Sequence, residues 1–79
     1  MNVEALDAAI LSRAGKRWLK AAMIGARALD DLGLPPSDVQ FEAVVARMRA
    51  LVAQGRLLAK GNLSRPRFSE IRLPGYQEE

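Results

Sequence analysis

The stretch LVAQGRLLAKG, residues 51–61, shows where a helix ends and a strand begins. Apolar residues spaced three and four apart precede Gly55, which is typical of an amphipathic helix. After it the period drops to two, with Leu57 and Ala59 on one face and Leu58 and Lys60 on the other, which is typical of a strand. Because glycine is the usual residue just beyond a helix C-terminus, the stretch predicts a helix that stops at Gly55 and a short strand that follows.

The helix before Gly55 has a clear start. Ser37 and Gln40 have the spacing of a capping box, in which the serine hydroxyl accepts from the Gln40 amide and the Gln40 side chain reaches back. The apolar residues with helical spacing are Phe41, Val44, Val45, Met48, Leu51 and Val52. We predict a third helix from residue 37 to Gly55, with Phe41 at the centre of its buried face.

Two helices precede this one, and a second strand follows it. Residues 3–13 form the first predicted helix, with Asn2 as N-cap. Residues 16–32 form the second, with Trp18 and Gly25 on its core face. FSEIRL, residues 68–73, alternates as a strand that pairs with residues 57–60. The predicted fold is α+β, a three-helix bundle with a C-terminal two-stranded antiparallel hairpin. It forms one domain over residues 1–74, followed by a flexible tail at residues 75–79.

This order of elements resembles the winged helix-turn-helix superfamily. The resemblance is carried by FEAVVARMRALVAQGRLLAKG, residues 41–61, and RFSEIRLP, residues 67–74. A narrower resemblance is to a bacterial family called domain of unknown function 3658. It is carried by ILSRAGKRWLKAAMIGARAL, residues 10–29, and RMRALVAQGRLLAKGNLSRPRFSEIRLP, residues 47–74. The first implies a winged-helix-like frame, and the second implies an accessory module without known catalytic or ligand residues.

Composition argues against catalysis. The 79 residues include no Cys and no His, so the commonest zinc ligands and the commonest general base are missing. Asp30 and Asp31 are adjacent, so on a helix they point about 100° apart and cannot form a dyad. GKRWLK lacks the upstream glycine and the Ser or Thr of a phosphate-binding loop. We expect no enzyme activity, no cofactor, no metal and no small-molecule substrate.

The N-terminal sequence indicates where the protein is located, and the net charge indicates which partners it can bind. The N-terminal segment is acidic where a signal peptide is basic, and no apolar run reaches the roughly 20 residues of a membrane span. We therefore expect a cytoplasmic protein without membrane association. The net charge of +3 permits a nucleic-acid partner but does not require one.

The outer face of the third helix is the leading candidate for a binding surface. With Phe41 at the core centre, the outward residues are small and apolar, so another helix can approach closely. The candidate protein interface is Val39, Ala43, Ala46 and Ala50, with Met23 and Ile24 of the second helix beside it. Alanine also favours helices without any partner. The leading hypothesis is an accessory module that binds another protein, or a second copy, through this face.

The alternative is a DNA-binding winged helix that contacts the phosphate backbone. The candidate contacts are Lys16, Lys20 and Arg27 on the second helix, Arg47 beside the outer strip, and Lys60, Arg65 and Arg67 in or beside the loop between the strands. Such cations displace counterions from DNA, although Lys and Arg also cover any protein surface. Asp38 and Glu42, together with the alanines, argue against sequence-specific reading by the third helix.

Overall fold

A computed structural model of the chain describes residues 2–75. Three helices, three short strands and one 3-10 turn follow one another. They are α1 (Val3–Arg13), β1 (Leu19–Lys20), α2 (Ala21–Asp31), α3 (Asp38–Ala53), β2 (Leu58–Lys60), the 3-10 turn (Pro66–Phe68) and β3 (Glu70–Arg72). The predicted α+β class is confirmed, and the arrangement is compatible with a winged-helix-like shape. The tail predicted at residues 75–79 lies, beyond residue 75, outside the described residues.

The second helix begins later than predicted. Residue 16 lies in a turn, and the chain then forms β1 before α2 starts at Ala21. Leu19 lies opposite Ile71 of β3, and Lys20 lies opposite Glu70. The predicted two-stranded hairpin is therefore part of a three-stranded antiparallel sheet with the order β1-β3-β2. Pairing with the distant β3 overrides the helical reading of residues 16–20.

The two strands after α3 are shorter than predicted. β3 covers Glu70–Arg72 in place of residues 68–73, because Pro66–Phe68 form a 3-10 turn. Proline is favoured at the start of such a turn, since its fixed φ suits the helical conformation. We call residues 61–69, which connect β2 to β3, the wing. Gly61 opens the wing with a φ of 81°, a left-handed conformation that glycine adopts without strain.

The bounds of α3 follow its sequence signals. The Ser37 hydroxyl accepts from the Gln40 amide at 3.2 Å, as predicted. The Ser37 amide, which the capping box pairs with the Gln40 side chain, donates to the Pro35 carbonyl at 2.9 Å. At the other end the Arg56 amide donates to the Leu51 carbonyl at 2.9 Å, and Gly55 has a φ of 75°. This pairing is the Schellman motif, which stops the helix at the predicted glycine.

The core lies where the three helices meet the sheet. Its largest fully buried side chains are Leu6, Ile10, Ile24, Leu29, Val44, Met48, Leu51, Leu57 and Ile71. Gly25 lets α2 and α3 approach closely, because a Cβ atom there would lie 2.9 Å from Val44 Cγ1. This contact accounts for a glycine in mid-helix, where it costs about 1 kcal/mol relative to alanine.

Two ion pairs hold α1 against the other helices. Asp7 is buried on α1 and accepts two hydrogen bonds of 2.8 Å from the Arg47 guanidinium of α3. Arg13, near the end of α1, donates at 2.7 Å to Asp31 at the end of α2. The Arg13 hydrogen bond lowers the pKa of the Asp31 carboxyl from its ordinary value. Both pairs join elements that are distant in sequence.

Neither a membrane span nor a metal cluster occurs among residues 2–75. No helix there combines the length and the apolar character needed to cross a membrane. No group of three or more Asp or Glu side chains in that range could hold a metal ion.

Candidate binding groove and wing

A groove of about 600 Å³ lies between α3 and the wing. Its lining combines apolar side chains with three charged ones and one hydroxyl. Six lining residues come from α3 and two from the wing: Asp38, Phe41, Glu42, Val45, Ala46, Arg49, Ser64 and Pro66. We call this site the α3–wing groove.

The exposed face of α3 is rotated from the predicted one by roughly 60°, at 100° per residue. Val44, Met48 and Leu51 are fully buried and mark the centre of the core face, whereas Phe41 is half-buried on the flank that faces Gly25. Of the predicted strip, Val39 and Ala46 are exposed, and Ala43 and Ala50 are half-buried. The exposed face also carries Asp38, Glu42, Arg49 and Ala53. The predicted strip is therefore exposed at Val39 and Ala46 but half-buried at Ala43 and Ala50, and the exposed face is not purely apolar.

The predicted contribution of α2 to this surface is also wrong in part. Ile24 has no exposed area, so it cannot belong to an interaction surface. Because α2 starts at Ala21, the core positions follow as Ala21, Ile24 and Ala28, which share one face at helical spacing. Met23 is half-buried beside them.

The groove has apolar walls and a charged rim. Phe41, Val45 and Pro66 provide apolar surface, and the short side chain of Ala46 leaves space between them. Asp38 and Glu42 are exposed at the end of the groove where α3 begins. Asp38 sits in the first turn, where the helix dipole favours an acid, so this side chain also stabilises α3. The groove therefore offers apolar contact next to negative charge.

Arg49 joins the helix to the wing. Its guanidinium donates a hydrogen bond to the Ser64 hydroxyl, which lies across the groove. The Ser64 amide in turn donates to the Asn62 side chain at 2.9 Å. These bonds connect one side of the wing to α3 across the groove.

The outer side of the wing carries a large exposed side chain among cations. Phe68 is 74% exposed. The Arg65 guanidinium lies over its ring, with Cζ 5.7 Å from the ring centroid, in the range of a cation–π contact. Arg65 and Arg67 are exposed, and neither takes part in the ion pairs found among residues 2–75. The predicted strand at residues 68–73 included Phe68, which instead ends the 3-10 turn. The sequence RPRF, residues 65–68, already shows an aromatic residue close to two arginines.

Only one residue of the predicted basic stripe lies within α2, which is Arg27. Lys20 belongs to β1 and is the N-cap of α2, where the backbone is not yet helical. Both side chains are exposed. Lys16 is also exposed, but it precedes β1, so its predicted place on the helix is wrong. The 3-10 turn of the wing packs against both β1 and α2, so Lys20 and Arg27 belong to elements that adjoin the wing.

Two other predicted nucleic-acid contacts are engaged within the protein. Arg47 is held by Asp7 on the α1 side of α3, and this hydrogen bond raises the pKa of its guanidinium. Lys60 Nζ lies 4.3 Å from the centroid of the Trp18 ring. Arg72 Cζ lies 4.9 Å from the same centroid, and Arg72 is buried. The Trp18 ring therefore contacts the cations of Lys60 in β2 and Arg72 in β3. Trp18 precedes β1 and does not lie on the core face of α2 as predicted.

Comparison of the chain with protein-family models, with curated proteins and with solved structures found no match. The winged-helix resemblance and the resemblance to domain of unknown function 3658 therefore stay predictions from the residues that carry them.

Proposed function

We propose that this chain is a non-catalytic binding module on a winged-helix-like frame, and that its α3–wing groove takes a segment of a protein partner. The observation that carries the proposal is the groove itself, which combines apolar walls with two acids at the end where α3 begins and with Arg49 further along the helix. Its volume is within the range of sites that bind small molecules or a few side chains. We expect the partner to stay on the surface of the domain and to insert only its side chains into the groove.

The lining defines the chemistry of the partner. Phe41, Val45 and Pro66 would bury a large apolar side chain, which is favourable by about 25 cal/mol per Å² of apolar area removed from water. Asp38 and Glu42 lie four residues apart on one helix face, where like charges repel. A cation from the partner would relieve that repulsion. We expect a segment with a large apolar residue next to Lys or Arg.

Selection from a random peptide library against the immobilised domain tests this proposal. Peptides that bind should be enriched in an aromatic or large aliphatic residue beside Lys or Arg. Glu42→Lys should shift the selected charge toward Asp and Glu, because it reverses the rim. Ala46→Glu should abolish selection by filling the groove with a charged side chain.

Ala53→Glu is the matched control, since Ala53 is exposed on the same helix but does not line the groove. It should leave selection unchanged, and circular dichroism should show the same helix content in all variants. Selection without charge preference, or selection that survives Ala46→Glu, would contradict the assignment of the groove.

A second candidate function is contact with the phosphate backbone of DNA. It is favoured by the exposed cations of the wing and of the elements packed against it, Lys20, Arg27, Arg65 and Arg67. Each cation that neutralises a phosphate releases a counterion, so affinity falls as salt rises. The acids of the groove would repel phosphates, which leaves the wing as the contact.

A titration with random duplex DNA across a salt series tests the second candidate. The double variant Arg65→Ala with Arg67→Ala should reduce the slope of log affinity against log salt by about two, one for each lost phosphate contact. Arg13→Ala is the control, because Arg13 is already paired with Asp31 and is not one of the proposed phosphate contacts. An absence of binding at low salt would exclude this function.

A further inference from the structure

We propose that the occupant of the α3–wing groove is the wing of a second copy of this chain, with Phe68 as its anchor. The inference rests on the proposed function, in which the groove binds a protein segment. It goes further because it names the partner and assigns a role to a residue outside the groove.

The two surfaces are complementary in chemistry. The groove suits a large apolar side chain beside a cation, because its walls are apolar and its rim carries Asp38 and Glu42. The wing presents that combination, with Phe68 exposed beside Arg65 and Arg67. An aromatic anchor flanked by arginines is the type of residue set that dominates binding energy at protein interfaces.

The motion of Phe68 is also restricted by its neighbours in the wing. The Arg65 guanidinium covers one part of its ring, with Cζ 5.7 Å from the centroid. Behind it, the wing is constrained where Gly61 approaches the Phe68 carbonyl, since a Cβ on Gly61 would lie 3.0 Å from that oxygen. An anchor with restricted motion loses less conformational entropy when it is buried.

The placement of the two surfaces favours a closed dimer. Ser64 and Pro66 line the groove, and Phe68 follows only two residues later in the same wing. Because groove and anchor are neighbours, we expect one two-fold axis beside the wing to bring each Phe68 to the groove of the other copy. Such an interface is isologous, with the same contact made twice. Growth into filaments is not expected.

Sedimentation equilibrium on the full chain, over concentrations from micromolar to millimolar, tests the inference. The chain should dimerise, and Phe68→Ser should weaken the dimer by about 30-fold for each of the two anchors that are lost, and so by roughly 1,000-fold in all. Val3→Ser is the matched control, because Val3 is an exposed apolar residue on α1. It should leave the dimer unchanged, and circular dichroism should confirm that both variants fold.

A charge exchange tests the pairing of rim and wing. Glu42→Arg alone and Arg67→Glu alone should each be monomeric, because each homodimer would contain two like-charged contacts. A mixture of the two variants should form a heterodimer, since one contact is then reversed in sign and the other is native. Masses above a dimer would overturn the closed arrangement.

A chain that is monomeric at millimolar concentration, or a dimer that Phe68→Ser leaves intact, would overturn the inference. If the monomer still selects apolar and basic peptides, the groove binds another protein and the proposed function stands. If it selects none, the proposed function fails with it. Loss of DNA binding on Phe68→Ser, in a chain that does not dimerise, would assign Phe68 to nucleic acid and would overturn the inference as well.

Discussion

The two long sides of α3 differ in whether their charged side chains form ion pairs within the fold. On the side that faces α1, Arg47 is paired with the buried Asp7 through two hydrogen bonds of 2.8 Å. On the side that faces the wing, Asp38 and Glu42 are exposed, and neither takes part in the ion pairs found among residues 2–75. The charges on the first side are explained by the fold. On the second side Asp38 interacts with the dipole at the start of α3, whereas no contact within the fold accounts for Glu42 among residues 2–75.

The difference separates stability from binding along one helix. A half-buried guanidinium needs its carboxylate, because a charge left without a partner in a low-dielectric environment is costly. An exposed carboxylate is solvated by water and contributes little to stability. Variants on the α1 side should therefore change the melting temperature, whereas variants on the groove side should change binding and leave the melting temperature nearly unchanged.

The largest effect is expected from Asp7→Ala. It removes the partner of Arg47 and leaves a half-buried charge on α3, so we expect the melting temperature to fall by about 10 °C, given that 1 kcal/mol corresponds to roughly 4–8 °C in a domain of this size. Calorimetry at neutral pH measures the change. Glu42→Ala, on the other side of the same helix, should change it by less than about 3 °C. Equal effects of the two variants would remove the distinction between the sides.

A smaller effect is expected where α2 meets α3. Gly25→Ala places a methyl group 2.9 Å from Val44 Cγ1 and 3.3 Å from Phe41 Cε1. Overpacking of this kind costs about 1–3 kcal/mol, which the better helix propensity of alanine offsets by about 1 kcal/mol. We expect the melting temperature to fall by about 5 °C.

The same substitution connects the two sides of α3. Phe41 lines the groove, so a shift of its ring should also weaken peptide binding, and amide chemical shifts around Phe41 should change. Gly15→Ala is the matched control, because a Cβ there would meet nothing within 4 Å. If Gly25→Ala proved as stable as the native chain, the helices would have room to separate and the close approach would not be required.

The sequence predicted the elements whose signals are local. Ser37 and Gly55 bound α3 through hydrogen bonds to residues three to five positions away, so a short window contains the information. β1 is different, because Leu19 becomes a strand residue by pairing with Ile71. Nothing in residues 16–20 breaks a helix, and two residues are too few to show an alternating pattern. The start of α2 was therefore misplaced.

The candidate site was harder to predict than the fold. A helical wheel gives the relative angles of the side chains but not the direction of the core, so the predicted outer face depends on the placement of Phe41 at the core centre. The core centres on Met48, and Phe41 instead fills the flank beside Gly25. This rotation turns Glu42 and Arg49 outward. The groove also needs Ser64 and Pro66, whose position depends on how the wing folds back onto α3.

The smallest effect is expected at the second ion pair of α1, which tests whether burial sets the strength of such pairs. Arg13 and Asp31 are joined at 2.7 Å but are partly exposed, so water and salt weaken the pair. The Arg13 hydrogen bond lowers the pKa of Asp31 in the folded state. The stabilisation is therefore present above the ordinary carboxyl pKa and is lost as the pH falls through the lowered value.

Arg13→Gln should raise the pKa of the Asp31 carboxyl toward its ordinary value, which a carbon-detected NMR titration measures. The variant should be slightly less stable than the native chain at neutral pH, and this difference should disappear in acid, where Asp31 is protonated in both. Asp31→Asn should show the same small loss at neutral pH, and Arg13→Gln added to it should cost nothing more. A loss as large as that of Asp7→Ala would mean that the geometry of the pair, and not its burial, decides how much a charge contributes on this side of the molecule.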